Sequence, residues 1–173
     1  MTSKYNSEIH HRRSIRFQDY DYAKEGLYFV TINCHERQCL FGTISDNVMQ
    51  LNDAGKVAYQ CWRDIPIHFP HVQLHPFVIM PDHVHGILEI IENPNSTKGR
   101  NEFQKIIPKS IGSIIRGFKI GVTKWFREHH PDDFPIGIPI WQRNYYEHII
   151  RNEMAYHNIV KYIQDNPAKW EKK

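Results

Sequence analysis

Two histidines with one residue between them offer the clearest chemistry in this sequence. His83 and His85 stand in FVIMPDHVHGILEII (77–91), where an apolar run, a Pro-Asp break and a second apolar run follow one another. On an extended strand alternate side chains share a face, so the two imidazoles point the same way about 7 Å apart. Val84, Leu88 and Ile90 then point the other way, into a core. Two imidazoles side by side are two of the ligands a divalent cation takes. Two half-exposed histidines in a chain that has 12 is the plainer reading.

A second reactive group lies near the C-terminus. Advancing 100° per residue along a helix, Ala155, Ile159, Tyr162, Ile163 and Asn166 fall within about 100° of arc, on the face that packs against a sheet. A tyrosine there can simply be core. Asn166, one turn further on, is harder to place in a core, because a buried carboxamide without partners costs about 1–3 kcal/mol. A cation beside the histidine pair would give it one. Tyr162 is thus a candidate nucleophile and Asn166 a candidate third ligand. A phenol ordinarily titrates near about 10, so it needs such help to attack at neutral pH. Tyr145 and Tyr146 are the rival nucleophiles. On a strand they point to opposite faces, so at most one reaches the cation, and neither has a polar ligand at helical spacing. His148 on the same stretch could be a further ligand or proton carrier, with packing the plainer role.

The elements that must hold these groups can be read from their patterning. GLYFVTINC (26–34) is rich in β-branched and aromatic residues and predicts a strand. TISDNVMQL gives a short strand or hairpin arm. Asn52 is placed to cap a helix, with Gly55 at its third position, and Pro66 stops that helix near Ile65. Residues 72–80 and 83–91 form a hairpin across the Pro-Asp turn. Residues 109–130 predict the longest helix, with Ile111, Ile114, Ile115, Phe118, Val122, Trp125 and Phe126 in one stripe. Ser113, Arg116, Gly117, Lys124 and Arg127 line its other side, where glycines would let a phosphate backbone come close. The plainer reading is a solvated basic face. A strand over 141–150 and a helix over 151–166, ended by Pro167, complete the order. Hairpin-joined strands with interspersed helices predict an α+β domain, an antiparallel sheet with helices packed mainly on one face.

The 173 residues suggest one domain spanning 1–173, with a basic N-terminal arm (about 1–20) and a mobile loop (about 92–108). Cys34, Cys39 and Cys61 are odd in number and lack CxxC spacing, which argues against a disulfide framework and a cysteine zinc site. No apolar stretch approaches the roughly 20 residues of a membrane span. A cytoplasmic protein is expected. The formal charge of +3 is compatible with a nucleic-acid partner without requiring one.

MPDHVHGI, preceded by GLYFVT and followed by WQRNYYEHIIRNE and YIQDNPAKW, resembles the REP-associated tyrosine transposases, of the single-tyrosine branch of the HUH (His-hydrophobe-His) endonucleases. The resemblance runs from about Arg13 to Trp170. It implies a ferredoxin-like HUH nuclease fold, a metal on His83 and His85, a nucleophile at Tyr162 and a polar ligand at Asn166. Mg²⁺ or Mn²⁺ is the implied ion, although two imidazoles also tolerate Zn²⁺. The partner would be single-stranded or hairpin DNA, cut through a 5′-phosphotyrosine link in the bacterial cytosol or nucleoid by a monomer or homodimer. Gly26 and Tyr28 match a Gly-x-Tyr element associated with hairpin recognition. Arg12, Arg13, Arg16, Arg116, Lys119, Lys124 and Arg127 are candidate phosphate contacts. Two other readings use the same residues: a nucleic-acid-binding module without cleavage, and a phosphodiester hydrolase in which a cation on the histidines activates water.

Overall fold

The computed structural model describes residues 24–91 and 110–170. The arm with Arg12, Arg13 and Arg16, and the loop predicted over 92–108, lie outside the described residues. Strand β1 (Gly26–Asn33) sits inside a four-stranded sheet. A hairpin, β2 (Gly42–Ser45) and β3 (Val48–Leu51), stands apart from it. Its turn residues Asp46 and Asn47 take φ of 52° and 62°, the left-handed conformation that a tight two-residue hairpin requires. Helix α1 (Asp53–Arg63) begins as predicted, the Asn52 side chain accepting from the Gly55 amide at 2.9 Å. It ends before Ile65, however. Pro66 lies in the first turn of a separate short helix, α2 (Ile65–His68), where its missing N–H costs nothing.

Strands β4 (Val72–Ile79) and β5 (His83–Ile90) form the predicted hairpin, closed by Met80 N–H donating to the His83 carbonyl at 2.8 Å. Helix α3 (Ile111–His129), strand β6 (Tyr146–Ile150) and helix α4 (Glu153–Asp165) follow. The sheet order is β4-β5-β1-β6, every neighbouring pair antiparallel. Pro76 is tolerated because β4 is an edge strand and its register shifts between Leu74 and Phe77. This is the expected α+β architecture, with one feature of placement that matters for function: among the described helices, α1 and α3 cover one face of the sheet and α4 packs on the other.

On the first face Tyr28, Val30, Ile32, Val84, Leu88 and Ile90 pack with Trp62 of α1 and with Ile114, Ile115, Phe118 and Val122 of α3, all buried. Each such side chain contributes on the order of 1.5–3 kcal/mol. Gly86 is required here, since a Cβ would lie 2.3 Å from the Trp62 ring. Two glycines of α3 also serve packing. Gly121 abuts Cys61 Sγ, where a Cβ would come to 3.1 Å, and Gly117 sits beside the Phe69 ring at 3.4 Å. Both thus have packing neighbours, although Gly117 is still exposed and Gly112 lines a groove with Arg116 and Arg127. On the second face Phe29, Ile87 and Ile150 meet Ile163 of α4. Among the described residues no helix is long and apolar enough to cross a membrane, and Cys34, Cys39 and Cys61 are all free thiols.

Candidate active site

His83 and His85 open β5 on the face that α4 covers, and both are nearly buried, at 4% and 5% exposure. Their ring centroids are 4.4 Å apart. Strand alternation puts the two side chains together, and neighbouring elements then fix how each ring is turned. The His83 Nδ1 lies 2.5 Å from Asp82 Oδ1. A carboxylate only accepts, so Nδ1–H donates to it and Nε2 is the nitrogen left to face a ligand. Asp82 is itself buried and its second oxygen accepts from Arg37 Nε at 2.7 Å. The His85 Nδ1 lies 2.8 Å from Thr31 Oγ1, across the β1–β5 register that pairs those two residues. Both imidazoles are therefore held by Nδ1, the arrangement usual for metal-binding histidines.

Tyr162 completes the cluster. Its hydroxyl lies 3.1 Å from His85 Nε2, and its ring meets the edge of Phe29 at 6.1 Å between centroids. Asn152 caps α4 through the Ala155 amide at 2.8 Å and sets where the helix begins. Ile163, 1% exposed, anchors its apolar stripe, while Tyr162 at the margin of the stripe is 46% exposed. A ring at that margin reaches the histidines and stays open to a ligand. The His85 pKa is driven down to about 3 by burial first, then by His83 and the charge of Arg37. The imidazole is neutral across the physiological range, as a metal ligand must be.

The chemistry of the donors fits a cation in part. Two imidazoles with Nδ1 engaged are good ligands, yet among the described residues no group of three or more His, Cys, Asp or Glu side chains is arranged to hold an ion. Among the described residues a third donor would have to come from another residue type. Asn166 is half-buried at the C-terminal cap of α4, its backbone N–H bonded to the Ile163 carbonyl at 3.3 Å. The Trp170 ring lies 5.9 Å from that of His83.

Of the rival tyrosines, Tyr145 is half-buried against the core of the first face. Tyr146 is exposed and meets Phe29 at 6.4 Å between centroids, but it is Tyr162 whose hydroxyl bonds to His85. His148 is exposed on β6, so the packing role favoured for it does not hold.

The predicted DNA contacts separate into groups. Gly26 opens β1 at φ 147°, a conformation that favours glycine. Tyr28 is 0% exposed and its hydroxyl donates to the Lys24 carbonyl at 2.7 Å, so its ring offers no surface to DNA and instead ties down the segment entering β1. Arg116, Lys119, Lys124 and Arg127 do converge, with Arg143 and Tyr145, on a groove of about 460 Å³ floored by Ile115 and Ile120. Within it Lys119 Nζ donates to the carbonyls of Gln142 and Asn144 at 2.9 and 3.0 Å, and burial pulls its pKa down to about 8. Arg127 is engaged by the carbonyls of Phe134, Pro135 and Ile138 and braces the connection to β6. Lys124 pairs loosely with Glu128 at 3.7 Å. Arg116 and Arg143 make no ion pair among the described residues.

Sequence reasoning missed Asp82, Thr31 and Arg37. The signal for Asp82 was in plain view, a carboxylate beside the first histidine of the pair.

No family model matches the chain. It is 51% identical over 178 residues to an uncharacterized protein of Haemophilus influenzae, covering 99% of this chain and 96% of that one, so the two belong to one family. Over 154 residues it is 29% identical to a candidate REP-associated tyrosine transposase of the same organism, covering 86% of this chain and 74% of the other. Its fold matches that of a REP-associated tyrosine transposase solved bound to a REP hairpin, with a TM-score of 0.59 and 22% identity over 91% of this chain and 73% of that one.

Proposed function

We propose that this chain, which resembles the REP-associated tyrosine transposases over most of its length, is a DNA strand transferase that cuts and rejoins single-stranded or hairpin DNA through a 5′-phosphotyrosine link on Tyr162. The observation that carries this reading is the 3.1 Å approach of the Tyr162 hydroxyl to His85 Nε2, on a helix that leaves the ring accessible. His83, His85 and Asn166 would hold a divalent cation, Mg²⁺ or Mn²⁺. Such an ion supplies Lewis-acid relief of charge on the scissile phosphate and the departing 3′ oxygen.

The chain's own groups do the rest. Asp82 and Thr31 keep the imidazoles turned. The Tyr162 oxygen attacks phosphorus, a P–O bond to tyrosine forms, the bond to the 3′ oxygen breaks, and that oxygen leaves as a hydroxyl while the phenol gives up its proton. One phosphodiester replaces another, so the step is near balance and reversible, and rejoining needs no nucleotide cofactor. Arg116, Lys119, Lys124 and Arg143 in the groove beside α3, with Arg12, Arg13 and Arg16 of the arm, would take phosphates. Gly26 and Tyr28 would act on hairpin recognition through the shape of the segment before β1. Tyr162 meets His85 of its own chain, which favours cleavage in cis in a monomer or in each half of a homodimer.

The test is to incubate the protein with labelled hairpin DNA and Mn²⁺ and to resolve products on a denaturing gel. A covalent adduct that disappears in Tyr162→Phe supports the proposal. Binding without any cleavage would select a recognition module on the same fold, and nicked product that survives Tyr162→Phe would select water as the nucleophile.

A further inference from the structure

Arg37 is drawn into this site by a backbone that few side chains adopt. The turn after β1 (His35–Arg37) holds Glu36 at φ 50° and Arg37 at φ 57°, both left-handed and neither glycine. In that conformation Cβ crowds the backbone, so a residue other than glycine is strained there. The turn brings the guanidinium back over the end of β1, where Nε donates to Asp82 Oδ2 at 2.7 Å and Nη1 donates to Asn33 Oδ1. Asn33 is paired in register with His83, and the same Asp82 carboxylate orients the His83 ring. The guanidinium is therefore fixed one carboxylate away from the histidine pair, and its charge is among the causes that lower the His85 pKa.

A simpler role exists, that of a counter-ion for Asp82. It uses one of five N–H donors. A second goes to Asn33, and the side chain is still 51% exposed, with Nη2 making no hydrogen bond or ion pair among the described residues. A counter-ion alone needs neither the remaining N–H donors nor the exposed side of the guanidinium. Backbone strain like that of the turn, held in place beside reactive groups, is a mark of a functional position.

We propose that Arg37 is a phosphate-binding residue of the cleavage site, its free N–H donors taking a non-bridging oxygen of the phosphodiester that Tyr162 attacks. The proposal rests on the strand-transfer reading of this same site. A planar, permanently charged fork suits a phosphate oxygen better than the flexible ammonium of a lysine does. It would neutralise charge on the phosphate, leaving the cation to the histidines.

The test uses the full chain, with hairpin DNA whose scissile link is either an ordinary phosphodiester or a charge-free methylphosphonate. In a Tyr162→Phe background, which binds without reacting, anisotropy measures affinity for both DNAs with and without Arg37→Gln. The glutamine keeps a donor for Asp82, and thermal melting checks that it folds. Arg37→Gln is expected to weaken binding of ordinary DNA about 10-fold, as loss of one charged hydrogen bond does, and binding of the methylphosphonate less than about 2-fold. With Tyr162 restored, cleavage at saturating Mn²⁺ should fall about 100-fold, less in Arg37→Lys, while Mn²⁺ affinity read by electron paramagnetic resonance stays within about 3-fold. Equal penalties on both DNAs, or a cleavage defect erased by more Mn²⁺, would show that Arg37 only positions Asp82 and His83. A wild-type protein that forms no Tyr162-dependent adduct would instead bring down the strand-transfer reading, whatever Arg37 does for binding.

Discussion

Helix α4 carries two tyrosines whose hydroxyls both end on a histidine of the sheet, and the two pairs differ in what lies behind them. Tyr156 bonds to His75 Nδ1 at 2.9 Å, and the other nitrogen of His75 is 2.8 Å from Glu89 Oε2. Every group in that chain has a partner, and the chain ties α4 to β4 and β5. Tyr162 bonds to His85 Nε2 at 3.1 Å, but behind His85 stands a second imidazole, His83, whose Nε2 has no hydrogen-bond partner among the described residues. The same pairing is closed in one place and open in the other. A closed chain holds a helix down; an open one leaves donor atoms for a ligand.

The sharpest way to break that comparison is Tyr162→Phe. Loss of one half-exposed hydroxyl should change stability by less than about 1 kcal/mol, while the covalent DNA adduct vanishes from a denaturing gel. If Tyr156→Phe abolished the adduct as completely, the roles assigned to the two tyrosines would have to be exchanged. Next in size is Asp82→Ala, which frees the His83 ring and strands the charge of Arg37. Mn²⁺ affinity, titrated directly, should fall about 10–100-fold, the usual cost of losing the partner behind a metal-binding histidine. An unchanged affinity would mean that His83 is not a ligand.

How much of this could be read in the sequence depended on regular periodicity. His83 and His85 follow strand alternation, and Tyr162 with Ile163 and Ile159 follows helical spacing, so both halves of the site were legible before any coordinates. Asp82 reads as part of the Pro-Asp turn, and strand alternation would turn its side chain away from His83. It escapes that alternation by sitting in the turn just before β5, where its carboxylate can fold back onto its neighbour. Arg37 depends on two left-handed residues that no pattern of residue types announces. The His75–Glu89 contact is set by the register shift between Leu74 and Phe77, which a period of two cannot foresee. Pro66 misled for a related reason: a proline ends one helix and begins the next equally well.

The open pair also makes a prediction about acid. His85 is neutral in the fold down to about pH 3 and takes up a proton near 6.5 when unfolded. A folded pKa below the unfolded one means stability that is fully present above 6.5 and is lost as the pH falls toward 3. The slope should approach roughly 1.4 kcal/mol for each pH unit within that window. Urea unfolding at a series of pH values measures it, and His85→Gln should remove that share of the slope. A variant that kept the full slope would place the acid sensitivity elsewhere in the fold.

The smallest effect is expected at the closed pair, and it is the one that separates holding from reacting. Tyr156→Phe removes a hydrogen bond to His75 but keeps the ring, which packs edge-on to His75 at 5.5 Å between centroids. A half-buried hydrogen bond is worth about 0.5–1.5 kcal/mol, so denaturant unfolding should show a loss of that order. Cleavage at saturating Mn²⁺ should stay within about 5-fold of the wild type, because Ile163 still seats α4 against Ile87 and Phe29. Any decline should appear in DNA affinity and chemistry together, as a slight misplacement of Tyr162 would cause. A loss confined to the chemical step, with binding and stability intact, would mean that the Tyr156–His75–Glu89 chain moves a proton for the reaction, and the closed pair would then belong to the site.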